Sequence, residues 1–298
     1  HKSPDTDCVA SSIIMTDYLN KKGYNAKAYK AWKLNNETAY LLDLLNIEVP
    51  ETATSFPEWT LVALVDHNEK SQTLDNISDL KIEYIVDHHK FELSTMDPLN
   101  IRAEKLCSTA SVLFKMYKEA GFEISKEMGT LMLAAVLSDS LLFRSATTTK
   151  EDTLIAEELK VITWITDLDK FMKPLFDAKS DLWDMSIEEI IKYDYKNFEV
   201  NGKVFWLWTL ETTNPGYALW RKEEILEWLK NIKQKDNLEF IMLSVVDIIG
   251  EVNTSIVLDW DDTKVVEEIF NCRVENNLAD LKNRLSRKKQ VAPDVTKY

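Results

Sequence analysis

Two strand-length apolar runs, each ending at an acidic residue, constrain the fold of this chain more than any other feature. Thr60–Val65 is followed directly by Asp66, and Lys81–Val86 is followed directly by Asp87. Helical patterns precede and follow these runs, among them Ser108–Ala120. Alternation of this kind predicts an α/β domain in which crossover helices join parallel strands. Because ligands of such sheets bind beyond the carboxyl ends of the strands, both acidic residues lie at the predicted binding edge.

The second half of the chain has a different pattern. After a polar stretch near residues 177–186, two β-rich runs flank Asn201 and Gly202, and this dipeptide is a strong hairpin signal. A helical pattern at Lys222–Ile232 and further strand-like runs follow. We therefore predict a smaller C-terminal α+β domain. The predicted domains are residues 1–178 and 186–298, joined by a linker at about 179–185.

Composition narrows the class of protein. The formal net charge of −14 repels nucleic acid backbones, so we expect no nucleic acid partner. The three cysteines form no CxxC pair, which predicts neither a disulfide framework nor a zinc cluster and fits a reducing compartment. No apolar run approaches the length of a membrane span, and no signal peptide is visible. We expect a cytoplasmic protein without a membrane partner.

All four histidines of the chain lie in short motifs rich in Asp. These motifs contain His1 with Asp5 and Asp7, His67 after Asp66, and His88 with His89 after Asp87. Each motif has a plainer interpretation, since Ser, Thr and Asp also cap helices and form turns, and Asp7 is a plausible N-cap. A lone histidine is more often structural than a metal ligand. Four histidines in this pattern favour a metal site.

A further acidic residue, Asp139, closes a strongly apolar helical pattern that includes Leu131 and Leu137. We expect this carboxylate to be buried, and a buried carboxylate without a partner costs several kcal/mol. It therefore needs a cation or a donor. Arg144 or backbone N–H groups could supply the donor, so the choice between them and a metal stays open.

These positions give six candidate metal ligands: His1, Asp5, Asp7, Asp66, His88 and Asp139. Imidazole and carboxylate ligands without a thiolate favour Mn²⁺ or Co²⁺ over a thiolate-type zinc site. Four carboxylates can neutralise two divalent cations. Two metals roughly 3.5–4 Å apart are the usual arrangement for hydrolysis of phosphoryl bonds.

A basic run near the C-terminus contains Arg287, Lys288 and Lys289. In an acidic chain it is a candidate for phosphate capture, where Arg supplies a bidentate donor pair and Lys a point charge. A solvated face or a targeting signal are the alternatives. If the segment is extended, neighbouring side chains alternate between faces, and the three cannot all point into one site. Lys196 is a further cationic candidate.

The motifs HxxPDTD, DHNE, DHHK, SDSLLFRS and SRKKQVAP occur in this order from His1 to Pro293. In this order they resemble the family II inorganic pyrophosphatases of the DHH phosphoesterase superfamily. The resemblance implies an N-terminal parallel-sheet DHH domain and a C-terminal DHHA2-type domain, with the active site in the cleft between them. It also implies a homodimer built through the N-terminal domain.

The resemblance implies roles for individual residues. One metal would be held by His1 and Asp5, and the other by Asp7, His88 and Asp139, with Asp66 bridging the two. Substrate would be contacted by His89, Lys196, Arg287 and Lys288. The expected reaction is hydrolysis of pyrophosphate to two phosphates by a water that two Mn²⁺ or Co²⁺ ions activate, with additional Mg²⁺ arriving with substrate. His89 would donate a hydrogen bond or a proton, and the sequence does not decide between these roles.

Two other functions compete with this one. An exopolyphosphatase or phosphodiesterase of the same superfamily is the first, but nucleotide-cleaving members commonly carry a GGGH-type motif. This chain has six glycines, no Gly-Gly pair and no histidine after His89. The basic run likewise favours pyrophosphate over polyphosphate. The second is a non-catalytic metal-binding regulatory module, against which the complete set of ligands argues.

Overall fold

A computed structural model describes residues 1–2, 4–95, 97–181, 186–192, 195–200, 203–295 and 297. Within helix and strand ranges, the side chains of residues 189, 191–192, 195–200, 203, 288 and 289 are also outside the description. The chain divides into two compact units, residues 1–178 and 179–298. Among the described residues, no helix combines the length and the apolar character needed to cross a membrane.

The first unit combines helices with short parallel sheets. Its helices are α1 (Thr6–Lys21), α2 (Asn36–Leu44), α3 (Thr109–Ala120), α4 (Lys126–Asp139), α5 (Lys150–Thr163) and α6 (Leu168–Ser180), whose last two residues are counted with the second unit. Its strands are β1 (Tyr29–Lys30), β2 (Glu51–Thr52), β3 (Leu61–Val65), β4 (Lys81–Asp87) and β5 (Asn100–Ala103). Strands β3, β4 and β5 form a parallel sheet in that order, and β1 pairs with β2 in parallel.

The predicted apolar runs are the paired strands β3 and β4, with Val65 opposite Val86. Both strands become buried toward their carboxyl ends, where Ile85 and Val86 are fully inaccessible to solvent. The N–H group of Asp66 extends the pairing by donating to Val86 O at 3.0 Å. The sequence prediction of acidic residues at one edge of a parallel sheet is therefore confirmed.

Helix α3 begins where its sequence indicates, and α3 and α4 are both capped by a serine. Ser108 and Ser125 are the N-caps, and their side chains accept from Ser111 N and Met128 N respectively. Helix α3 ends at Gly121, which has φ of 67°, a left-handed conformation that glycine adopts without a steric penalty. Helix α1 also packs against α3 and α4, which fixes its first turn near the edge of the sheet.

Asp152 joins helix α5 to the segment before α3. Its carboxylate is fully buried, forms a capping box with Thr149, and accepts from Cys107 N (3.1 Å) and Ser111 Oγ (2.8 Å). Asp152→Ala would leave several buried donors without an acceptor. We expect it to lower the free energy of unfolding of the first unit by about 3 kcal/mol or more.

Urea denaturation of the metal-free protein, followed by circular dichroism, measures this effect. Glu157→Ala is a matched control on the same helix, because the Glu157 side chain is 64% exposed. It should change stability by no more than about 0.5 kcal/mol. Equal stabilities for the two variants would contradict the stabilising role of the buried Asp152 carboxylate.

The second unit contains a mixed six-stranded sheet in the order β10-β11-β9-β8-β7-β6. Its strands are β6 (Tyr195–Val200), β7 (Lys203–Thr212), β8 (Phe240–Asp247), β9 (Val252–Val257), β10 (Val274–Glu275) and β11 (Leu278–Asp280). Its helices are α7 (Ile187–Lys192), α8 (Pro215–Trp220), α9 (Lys222–Lys235), α10 (Trp260–Phe270) and α11 (Ala292–Val295). Strands β6 and β7 pair antiparallel with Val200 opposite Lys203, which confirms the predicted hairpin, although residues 201 and 202 lie outside the described residues.

Both faces of this sheet are buried, because side chains of β7 and β8 alternate between two apolar clusters. Trp208 and Leu243 lie in one cluster with residues of α7, α8 and α9. Phe205 and Met242 lie in the other with residues of α10 and α11. The smaller α+β domain is thus confirmed, with helices covering both faces of its sheet. Residues 182–185 of the predicted linker lie outside the described residues, and the linker stays a prediction.

Candidate metal centre

Asp66 is the centre around which the predicted ligands of the first unit assemble. Its side chain is 1% exposed, and its Oδ2 lies 3.3 Å from His1 Nε2. Its other oxygen, Oδ1, lies 3.4 Å from His88 Nε2 and accepts from Thr109 Oγ1 at 3.0 Å. A carboxylate with one histidine near each oxygen has the geometry needed to serve two cations at once.

The backbone of Asp66 has φ of 63°, in the left-handed region that few residues other than glycine adopt. Aspartate is one of the residues that tolerate this conformation. The chain therefore turns sharply where strand β3 ends. Such conformations concentrate at functional sites, because the surrounding structure must hold them in place.

Asp7 is held by a helix N-terminus. Its Oδ2 accepts from Thr109 N at 2.6 Å and its Oδ1 from Ala110 N at 2.9 Å, in the first turn of α3. The expectation that Asp7 caps its own helix was wrong. Asp5 is the N-cap of α1 and accepts from Cys8 N at 2.9 Å, whereas Asp7 lies in the first turn and points at α3.

His88, which lies near Oδ1 of Asp66, also lies beside Asp139. His88 Nε2 lies 3.7 Å from Asp139 Oδ2, and its Nδ1 is 3.1 Å from Leu106 O, which fixes the orientation of the ring. Asp139 ends helix α4, but its side chain is 19% exposed. The expectation of a buried carboxylate was therefore wrong, because the side chain is only half-buried and lies beside a histidine.

Helix α4 is followed by a left-handed turn of three residues that are not glycine. Leu141, Leu142 and Phe143 have φ of 50°, 54° and 66°. This conformation costs roughly 1–2 kcal/mol per residue because Cβ approaches the carbonyl oxygen. The strained turn begins two residues after Asp139, so the cost is located directly beside a candidate ligand.

Three groups of side chains place one ligand atom from each member within 4.8 Å of the others. The groups are Asp7, His88 and Asp139; Asp66, His88 and His89; and His1, Cys8 and Asp66. Asp5 adjoins the third group, with Oδ1 at 4.0 Å from His1 Nε2. All six predicted ligands thus lie in one cluster. Cys8 was not predicted, because sequence reasoning considered cysteines only as CxxC pairs.

Asp87 is a second residue whose part in the site sequence reasoning missed. Its Oδ1 accepts from His89 Nδ1 at 2.9 Å and from the backbone N–H groups of His88 and His89. Its Oδ2 accepts from Asn68 Nδ2 at 2.7 Å. The position of Asp87 at the end of β4 was the available signal. The carboxylate orients both histidines that follow it.

The balance of charges in the cluster calls for cations. Burial alone would raise the pKa of Asp66, but His1 and His88 beside it hold that pKa well below its usual range. Burial and the neighbouring Asp66 raise the pKa of Asp7 well above its usual range. Burial lowers the pKa of His88, yet Asp66 and Asp7 outweigh it and raise the pKa to about 9. These opposed shifts in pKa arise because several carboxylates and imidazoles are crowded into one buried cluster.

The donor set fits divalent metal ions. Asp66 Oδ2 and His88 Nε2 are buried, and neither has a hydrogen-bond partner among the described residues. A buried polar atom without a partner costs roughly 1–3 kcal/mol, so each atom gains from a cation. Imidazole nitrogens and carboxylate oxygens together suit Mn²⁺ and related ions. His67 differs from these residues, because its Nδ1 lies 2.8 Å from Val65 O and burial lowers its pKa.

The second unit carries three of the four predicted substrate contacts, and the fourth, His89, lies in the first unit. Lys196 lies on the edge strand β6, and its side chain is outside the description, as is that of Lys288. Arg287 is buried, with 9% of its surface exposed, and begins a π-helical turn, Arg287–Val291. The segment is therefore not extended, and the condition under which its neighbouring side chains would alternate between two faces does not hold.

Comparisons with known proteins agree over the full length of the chain. The N-terminal domain of the DHH family matches residues 1–136, and the DHHA2 domain matches residues 173–298. A Deinococcus radiodurans protein named "Probable manganese-dependent inorganic pyrophosphatase" is 39% identical over 303 residues, which cover 100% of this chain and 96% of the relative. The chain belongs to the manganese-dependent inorganic pyrophosphatases.

Other members of this pyrophosphatase family support the assignment. A Staphylococcus aureus protein with the same name is 37% identical over 298 residues, covering 99% of this chain and 96% of the relative. A crystal structure from Methanococcus jannaschii, assigned to the family II inorganic pyrophosphatases, matches with a TM-score of 0.83 and 32% identity, covering 100% and 97% of the two chains. The predicted membership and the DHH and DHHA2 domain types are confirmed.

A more distant structure shares the fold alone. It is an exopolyphosphatase-related protein from Bacteroides fragilis, with a TM-score of 0.51 and 15% identity over 99% of this chain and 90% of that one. At this identity, the likeness does not bear on substrate choice within the pyrophosphatase family.

Proposed function

We propose that this chain hydrolyses inorganic pyrophosphate to two phosphates at the cluster around Asp66. The observation that carries the proposal is the assembly of the other five predicted ligands around the buried carboxylate of Asp66. Membership in a family whose relatives are named as manganese-dependent inorganic pyrophosphatases identifies the substrate and the metal. Neither competing function explains both the assembled ligands and the family membership equally well.

The cluster divides naturally into two halves that share Asp66. We assign one Mn²⁺ to His1, Asp5 and Asp66, and the other to Asp7, Asp66, His88 and Asp139. When bound, the ions supply positive charge that polarises phosphoryl oxygens and lowers the pKa of the attacking water. The chain itself contributes preorganised ligands, because Asp7 is fixed by α3 and His88 by Leu106 O.

His89 is the proposed hydrogen-bond or proton donor toward the leaving phosphate. With Nδ1 donating to Asp87, its Nε2 can donate only when the ring carries two protons. Asp87 therefore sets which nitrogen faces the substrate. Arg287, Lys288 and Lys196 are the proposed cations that neutralise the terminal phosphate oxygens, as in other phosphoryl-transfer sites.

Three finer points are part of the proposal. Co²⁺ is an alternative to Mn²⁺, because it accepts the same nitrogen and oxygen ligands. Additional Mg²⁺ accompanies the substrate. A homodimer built through the N-terminal unit and a cytoplasmic location follow from the family resemblance. Sedimentation velocity at several protein concentrations tests the dimer directly.

A panel of substrates and metals tests the function. After thorough chelation, we expect phosphate release from pyrophosphate to recover with Mn²⁺ or Co²⁺ at least tenfold better than with Zn²⁺ or Mg²⁺ alone, because the cluster is built mainly from imidazole and carboxylate. ATP, a short polyphosphate and a dinucleotide should be cleaved far more slowly. Preferred cleavage of polyphosphate or the dinucleotide would replace the proposal with the wider superfamily function.

A further inference from the structure

Cys8 places a thiol beside the His1 half of the centre. It is the third residue of α1, is only 5% exposed, and its N–H donates to the candidate ligand Asp5. Its Sγ lies within 4.8 Å of a ring nitrogen of His1 and a carboxylate oxygen of Asp66. Sulfur therefore adjoins a cluster that the sequence indicated to be free of it.

A second observation points to a cation at this position. The Asp66 side chain is 1% exposed, and its Oδ2 has no hydrogen-bond partner among the described residues. This oxygen lies 3.3 Å from His1 Nε2, in the same group as Cys8. The unpartnered carboxylate oxygen, the imidazole and the thiol thus border the same position.

The distances suit a shared ion. Metal–sulfur and metal–nitrogen bonds of about 2.3 and 2.0 Å allow two ligands of one ion to lie up to roughly 4.3 Å apart. The separations in this group are at most 4.8 Å, which is close to that limit. Thiolate ligands favour soft ions, whereas Mn²⁺ prefers oxygen and nitrogen.

We infer that Cys8 is an additional ligand for thiophilic divalent ions, such as Cd²⁺ and Zn²⁺, at the His1–Asp66 half of the centre. These ions then bind more tightly than imidazole and carboxylate alone would allow. Tight binding is distinct from activation, so this agrees with weaker activation by Zn²⁺ in the substrate panel. The inference rests on the proposed function only because it uses the same metal ligands, His1 and Asp66.

Cobalt spectroscopy tests the inference without any substrate. The chelated protein is titrated with Co²⁺, and a sulfur-to-cobalt charge-transfer band in the near ultraviolet is expected in the wild type. The band should disappear in Cys8→Ser and Cys8→Ala and remain in Cys107→Ser and Cys272→Ser, the matched controls. In competition titrations, the ratio of Cd²⁺ to Mn²⁺ affinity should fall at least roughly tenfold in Cys8→Ser.

Absence of the band in the wild type, or its persistence in Cys8→Ser, overturns the inference. If the Cys8 variants do not fold, the test is X-ray absorption of the Cd²⁺-loaded Cys107→Ser/Cys272→Ser protein, in which Cys8 is the remaining cysteine. A Cd²⁺ coordination shell without sulfur overturns the inference. Pyrophosphate turnover with Mn²⁺ is measured separately. If pyrophosphate is turned over but the wild type shows no band, Cys8 is not a ligand and the proposed function stands. If the band is present but pyrophosphate is not turned over, Cys8 is a ligand and the proposed function is wrong.

Discussion

Asp66→Asn is expected to reduce pyrophosphate turnover by at least the roughly hundred- to thousandfold that one oxyanion donor is worth. Each oxygen of Asp66 faces a different histidine, so the carboxylate is placed to serve both metal positions. An amide has one oxygen and no charge, and its NH₂ group would face either His1 or His88. We therefore expect the variant to bind fewer than two Mn²⁺ per chain.

The substitution isolates the charge, because asparagine tolerates the left-handed backbone at this position as well as aspartate does. Turnover is measured together with metal content by elemental analysis, and thermal melting checks the fold. Asp75→Asn is the control, since that carboxylate is 90% exposed and pairs only with Lys2 among the described residues. Two bound metals and near-normal turnover in Asp66→Asn would refute the bridging role.

Arg287→Ala is expected to cost about 2–4 kcal/mol of transition-state binding, the range for losing one preorganised donor to developing charge. This corresponds to a fall in kcat/KM of roughly thirty- to a thousandfold. The metal content should stay unchanged, because the ligand cluster lies wholly in the first unit. Lys288→Ala should lose activity in the same direction, whereas Lys289→Ala should have a smaller effect, because the family resemblance implies substrate contacts for Arg287 and Lys288 but not for Lys289.

Because Arg287 is only 9% exposed, its loss could also disturb packing. Arg287→Lys separates the two effects: it keeps the charge but removes the bidentate donor pair, so it should recover only part of the lost efficiency. Melting temperatures of all the variants are compared with the kinetics. Near-normal kcat/KM in a folded, fully metallated Arg287→Ala would exclude this residue from substrate binding.

Local patterns predicted the parts of the molecule that depend on neighbouring residues. Strands β3 and β4, the helix capped by Ser108 and the antiparallel pairing of β6 with β7 all follow from short runs of sequence. The concentration of all the histidines beside aspartates identified the ligands as candidates. The order of the sequence motifs along the chain then indicated the family.

The remaining features depend on contacts between distant residues, which local patterns do not encode. Asp7 meets the N–H group of Thr109, which is 102 residues away, so the sequence could show it only as a possible cap of its own helix. The sequence could place Asp87 at the end of a strand, but its hydrogen bonds with His89 and Asn68 are visible only in the folded loop. Cys8 was disregarded because a single thiol has no spacing to interpret.

The attachment of Asp7 to helix α3 determines how this protein responds to loss of its ions. Two backbone N–H groups and Ser11 Oγ hold the carboxylate, and backbone or side-chain partners likewise hold His88 and His89. The ligands are thus fixed by the fold and not by the metal. We therefore expect a metal-depleted molecule to keep its ligand geometry and to rebind ions without refolding, so that its activity follows the supply of ions in its surroundings.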